Sequence, residues 1–230
     1  MQTCGMSGLR RALLDLALLL SLGFPMLIQA QPQAAANAVA PARSGGDTVL
    51  VVGDSLSAEY GLKRGSGWVA LLEEKLQAEK RSVTVINASI SGDTTAGGHA
   101  RLAALLRQHT PSIVVIELGA NDALRGLALD ATRQNLLAMT RAAQKAKARV
   151  LLIGMQVPPN YGGAYAETFA GLFPKVAKTT QSALVPFLLK NVADVEDTGQ
   201  LFQRDRIHPN ESAHPIILAN VWPELRKLFK

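Results

Sequence analysis

Five short runs of β-branched and other apolar residues recur along this chain, at residues 48–52, 83–86, 113–118, 150–155 and 184–187, at intervals of about 30 to 36 residues. Successive positions in each run are apolar, so neither face is left for water. Strands of a parallel sheet covered on both sides read this way. Between the runs, apolar residues return at spacings of three and four: Trp68, Leu71, Leu72 and Leu76; Leu102, Leu105 and Leu106; Leu136, Leu137 and Met139; Phe169, Leu172, Phe173 and Val176. Each set lines one face of a helix that would pack on the sheet. Strand, helix, strand at this interval is the βαβ rhythm, which predicts a doubly wound three-layer α/β/α sandwich around a five-stranded parallel sheet. A last helical pattern covers residues 212–229, with a bend expected at Pro223.

The rhythm begins only at residue 48. Residues 1–30 place Arg10 and Arg11 ahead of a long apolar stretch that ends at Ile28-Gln29-Ala30, which reads as a signal peptide cleaved near Ala30. Asp15, Gly23 and Pro25 interrupt the stretch and argue against a membrane-spanning helix. Residues 31–46, rich in Ala, Pro, Gln and Gly, read as a flexible lead-in, leaving 47–230 as one domain exported to the periplasm or beyond. The single cysteine, Cys4, would leave with the leader, so covalent chemistry in the exported domain must use an oxygen nucleophile. A formal net charge of +6, with Lys and Arg scattered rather than clustered, gives no nucleic-acid site. It leaves room for transient contact with anionic membrane lipid.

Because parallel strands all point one way, the loops after their carboxyl ends gather on one edge. The first run is followed by Gly53-Asp54-Ser55-Leu56-Ser57, the second by Asn87-Ala88-Ser89-Ile90-Ser91-Gly92-Asp93-Thr94, the third by Gly119-Ala120-Asn121-Asp122. Singly, each is ordinary turn chemistry. If the first strand is central, with the second and third on either side of it, all three surround one crevice. The segment Gly65-Ser66-Gly67-Trp68-Val69-Ala70 matches a loose dinucleotide pattern, but it does not follow a strand directly and no acid ends the next strand, so it is discounted. No metal-ligand spacing is present, and neither metal nor cofactor is expected.

Asp205-Arg206-Ile207-His208-Pro209 supplies what a serine needs. A hydroxyl is a weak nucleophile until a base takes its proton, and histidine suits that task. The base in turn needs a carboxylate to fix its tautomer, and Asp205 stands three residues before His208. His99 and His109 fall on or at the end of a helix, and His214 sits in or just before the last one, so His208 alone has an acid at that spacing in a loop. Asp54 adjoins Ser55, but successive residues diverge from a turn, so it is assigned to holding the turn that presents Ser55.

Together these four blocks resemble those of the SGNH (GDSL) hydrolases over nearly the whole chain after the leader, closest to the exported bacterial thioesterase I, arylesterase and lysophospholipase group. Further segments that carry the resemblance are Glu117-Leu118-Gly119-Ala120-Asn121-Asp122 and Pro159-Asn160-Tyr161-Gly162. The resemblance implies a flavodoxin-like sheet, Ser55 as nucleophile, His208 as base and Asp205 as its orienting acid. It further implies an oxyanion hole made by the N–H groups of Ser55 and Gly92 and the side-chain amide of Asn121.

Leu124 and Leu127, in the loop after Asn121, and Pro159 and Tyr161, within residues 157–165, stand where they would wall the crevice and favour an acyl chain or aromatic ring. The expected activity is hydrolysis of aryl esters, acyl-CoA-like thioesters and lysophospholipids by a monomer acting on small molecules. Two alternatives stand beside it: an O-acetyl esterase of carbohydrate or peptidoglycan, and a non-catalytic acyl-binding protein.

Overall fold

The computed structural model describes residues 46–230, so the expected signal peptide and all but the last residue of the expected lead-in lie outside the described residues. Five parallel strands form one sheet in the order β2-β1-β3-β4-β5: β1 (Asp47–Gly53), β2 (Val83–Asn87), β3 (Ile113–Glu117), β4 (Arg149–Ile153) and β5 (Ala183–Val185). The first strand is flanked by the second and third, as the convergence of their loops requires. β1 and β3 are buried along nearly their whole length, with Val49, Leu50, Val51 and Val52 at 0% exposure. Burying each such side chain contributes roughly 1.5–3 kcal/mol. Double-sided burial does not extend to the edges: Thr84 and Asn87 of β2 are exposed, because nothing pairs beyond that strand.

Helices α1 (Trp68–Ala78) and α7 (His214–Leu225) pack together on one face, and α2 (Thr95–His109), α4 (Leu129–Lys145) and α6 (Leu172–Thr180) on the other. Two pieces differ from the expected pattern. The helical set from Phe169 to Val176 is divided between α5 (Gly163–Ala170) and α6, with Gly171 between them. The loop after β3 contains a one-turn helix, α3 (Ala120–Leu124), which carries Asn121. Pro223 lies inside α7, and residues 226–228 continue as a 3-10 turn rather than α-helix.

His214 is buried, and its Nδ1 accepts the Trp68 N–H at 3.0 Å. This histidine completes the start of α1, whose Gly67 cap has no side chain to offer. Burial depresses its pKa, against the pull of Glu59 and Glu211, and so favours the neutral ring whose lone pair does the capping.

Candidate active site

The register of the sheet sets the floor of the site. Gly53 pairs with Glu117 across β1 and β3, so the two strands end side by side. A Cβ at Gly53 would stand 2.7 Å from Glu117 Oε2 and 2.8 Å from Ser57 Oγ, closer than atoms tolerate, so only glycine lets this floor close. From there the chain turns: Ser57 and Ala58 N–H both reach back to the Asp54 carbonyl, and Leu56 N–H donates to Asp54 Oδ1 at 3.0 Å. Asp54 therefore does hold the turn that presents Ser55.

On the exposed side, a narrow loop returns the histidine to the sheet edge. Phe202 bridges to Pro209, and Gln203 N–H donates to the His208 carbonyl at 2.8 Å. Within it, Asp205 Oδ1 accepts the N–H groups of Ile207 and His208, while Oδ2 lies 2.7 Å from His208 Nδ1. His208 Nε2 lies 3.0 Å from Ser55 Oγ. Since a carboxylate only accepts, Nδ1 carries the hydrogen and Nε2 faces the serine hydroxyl with its lone pair. Partial burial pushes the Asp205 carboxyl up, but the two N–H groups and the imidazole outweigh it and hold it at about 2. Tyr60 leans on the ring, centroids 4.4 Å apart and planes tilted by 42°, a contact that no spacing in the sequence signals.

The second and third loops close the opposite side. Gly92 has φ +78, which favours glycine; a Cβ there would meet only Arg125 Nη2, at an unstrained 3.5 Å. The glycine is thus required by its backbone rather than by crowding. Asp122, buried at the start of α3, accepts Thr95 N–H at 2.8 Å and also bonds the Thr95 and Thr132 hydroxyls, tying α3 to the first turn of α2 and to α4. That linkage fixes Asn121 relative to the Gly92 loop, and Arg125 adds a bond to the Gly92 carbonyl at 2.8 Å. Among the described residues, the N–H groups of Ser55 and Gly92 have no hydrogen-bond acceptor. Asn121 Nδ2 donates one hydrogen to Asp54 Oδ2 at 3.0 Å.

Leu124 and Leu127 lie on the loop after β3 at 40% and 42% exposure, and Tyr161 on the loop after β4 at 40%. Pro159 opens the 3-10 turn Pro159–Tyr161. Tyr165 OH donates to the Ala123 carbonyl at 3.2 Å, joining these two loops. Among the described residues, no group of three or more His, Cys, Asp or Glu is placed to hold a metal ion, and no helix is long and apolar enough to cross a membrane.

Sequence reasoning did not find Glu117. Its carboxyl is fully buried beneath the Ser55 turn, where Oε2 accepts the Ser57 hydroxyl at 2.7 Å and the Asp54 N–H at 3.3 Å. Ser57 Oγ in turn accepts Trp68 Nε1–H at 3.2 Å. The only signal was an acid closing an otherwise apolar run.

Comparison with known proteins gives the family. The chain is similar to esterase TesA of Pseudomonas aeruginosa, at 51% identity over 182 residues that cover 79% of this chain and 89% of that protein. It is 44% identical to the thioesterase 1/protease 1/lysophospholipase L1 of Escherichia coli over 171 residues, 74% of this chain and 79% of that one. The crystal structure of esterase EstA from Pseudoalteromonas sp., inhibited by monoethylphosphonate, superposes with a TM-score of 0.74 at 41% identity, covering 79% of this chain and 97% of that one. Residues 51–216 match the GDSL-like Lipase/Acylhydrolase family, and the chain belongs to that family.

Proposed function

We propose that this chain is a serine hydrolase that cleaves carboxylic esters and thioesters through an acyl-enzyme. The observation that carries the reading is the unbroken series Ser55 Oγ, His208, Asp205, with contacts of 3.0 and 2.7 Å, at the sheet edge where the free N–H groups of Ser55 and Gly92 also lie. Ser55 Oγ attacks the acyl carbonyl as its proton passes to His208 Nε2. The tetrahedral oxyanion is held by Ser55 N–H, Gly92 N–H and the Asn121 amide. Collapse expels the alcohol or thiol, which takes the proton from His208; water, deprotonated by the same nitrogen, then frees the acid and restores Ser55.

The substrate class follows from the rim. Tyr60, Ile90, Leu124, Leu127, Tyr161 and Ile207 are exposed large apolar residues, all on the segments that follow the carboxyl ends of the five strands, which supports medium to long acyl chains or aryl groups, including aryl esters, acyl-CoA-like thioesters and lysophospholipids. The relatives' names agree with that range. The same rim supports transient contact with lipid, and the leader-like residues 1–30 support export. One experiment separates this enzyme from its rivals. A phosphonate ester should label Ser55 stoichiometrically, and octanoyl esters should turn over faster than acetyl esters of the same chromophore. No labelling would leave a binding protein, and a preference for acetyl would leave an O-acetyl esterase.

A further inference from the structure

Asp54 adjoins the nucleophile, is 1% exposed, and makes no hydrogen bond to His208 or to Ser55 Oγ. Both of its oxygens are engaged elsewhere, Oδ1 by Leu56 N–H and Oδ2 by Asn121 Nδ2, each at 3.0 Å. An amide carries two hydrogens on nitrogen and none on oxygen, and an ionised carboxylate only accepts. If the Asn121 amide turned over, its Oδ1 would face the Asp54 carboxylate, two acceptors about a hydrogen bond apart. We propose that Asp54 is a positioning residue of the oxyanion hole: by accepting one Nδ2 hydrogen of Asn121 it fixes which way round that amide stands and keeps the second hydrogen for the oxyanion. The inference rests on Asn121 being an oxyanion donor.

Glu117 completes the device. Two buried carboxyls that repel one another resist ionising together, and whether Asp54 holds the charge decides what Asn121 faces. Burial raises both, Asp54 to about 6 and Glu117 well above the usual carboxylate range, with the Asp54 charge adding to the rise of Glu117. Asp54 is drawn back by Leu56 N–H, the Asn121 amide and His208, against Asp93. Glu117 is drawn back only by the Ser57 hydroxyl and the Asp54 N–H, both on Oε2, and its Oε1 has no partner, which a neutral acid tolerates far better than an ion. The proton therefore stays on Glu117 and the charge on Asp54, on the oxygen that meets Nδ2.

A double-mutant cycle on the full-length enzyme tests this. Asn121→Ala should lower kcat by about 10²- to 10³-fold with KM little changed. Asp54→Asn removes the charge that repels Oδ1 and lets the amide turn its oxygen into the hole, so kcat should fall to within tenfold of the Asn121→Ala value, again without a rise in KM. The combined variant should be no slower than Asn121→Ala within threefold, because both changes abolish one donor. Losses that multiply, or an Asp54→Asn enzyme that keeps kcat while Asn121→Ala loses it, overturn the positioning role alone. An Asn121→Ala enzyme that keeps kcat overturns the oxyanion reading and the inference with it. Should Asp54→Asn not fold, the wild-type protein still answers. The side-chain NH₂ pair missing from the Asn121→Ala NMR spectrum must show one downfield, exchange-protected hydrogen, and an averaged, freely exchanging pair overturns the proposal.

Discussion

Two groups of acids flank Ser55, and they are opposite in almost every physical respect. Asp205 sits on an exposed loop, its side chain 37% accessible, and two backbone N–H groups with the His208 ring hold it at about 2. Asp54 and Glu117 lie beneath the nucleophile at 1% and 0% exposure, and burial drives both upward. Identical chemistry is thus kept fully charged on one side and held to one charge between two carboxyls on the other. The exposed acid must be an anion whenever His208 gains a proton. The buried pair never meets that proton; it shapes the turn and the amide around it. A depressed carboxylate contributes stability above its unfolded pKa and loses it as pH falls through the folded value, so Asp205 stays ionised down to about pH 2.

The largest effect should come from the residue between the two groups. Ser55→Ala should lower kcat by about 10⁵- to 10⁶-fold and abolish phosphonate labelling. Retained turnover would place the nucleophile elsewhere. Asp205→Asn should lower kcat by about 10³- to 10⁴-fold while leaving substrate binding largely intact, because the neutral amide no longer fixes the tautomer of His208 or steadies its charged form. Steady-state kinetics at neutral pH decide this, and a loss below tenfold would break the contrast by showing that the exposed acid is dispensable. Ser57→Ala should act on the buried side instead. It leaves Trp68 Nε1–H without its acceptor and takes one donor from Glu117, for a loss of about 1–3 kcal/mol in urea unfolding, with kcat within tenfold of wild type.

The two sides also differ in how far they could be read from the amino acids. The exposed side was legible because its partners are close in sequence: two residues lie between Asp205 and His208, and a loop of that length lets the carboxylate meet the ring. Placement of β1 between β2 and β3 was legible from the three polar loops that needed a common crevice. The buried side was not, because it depends on register. Glu117 reads as the polar end of an apolar run, and only the pairing of Gly53 with Glu117 turns it inward under Ser57. Likewise, the fall of Asn121 on a single turn of helix, and the break at Gly171, follow from packing against α2, α4 and the sheet rather than from local pattern. Asp54 was correctly assigned to its own turn through Leu56, but its second bond crosses to another strand's loop and has no local signature.

The smallest effect is also the sharpest test of the charge assignment. Glu117→Gln preserves shape and still offers an oxygen to the Ser57 hydroxyl and the Asp54 N–H, so it should fold and keep kcat within a few-fold. Its stability should differ from wild type in a pH-dependent way. A carboxyl whose folded pKa is raised binds more protons in the native than in the unfolded chain across the window above about 4.5, so wild-type stability falls as pH rises there, by up to about 1.4 kcal/mol per pH unit. Glutamine does not titrate. The melting temperature of Glu117→Gln relative to wild type should therefore climb steadily from pH 5 to pH 8. Asp54 has a raised value too, with the same sign between about 4 and about 6, but it is present in both proteins and largely cancels in the difference. A difference that stays flat or shrinks with pH would mean that Glu117 ionises readily where it lies, and that the proton does not stay on it.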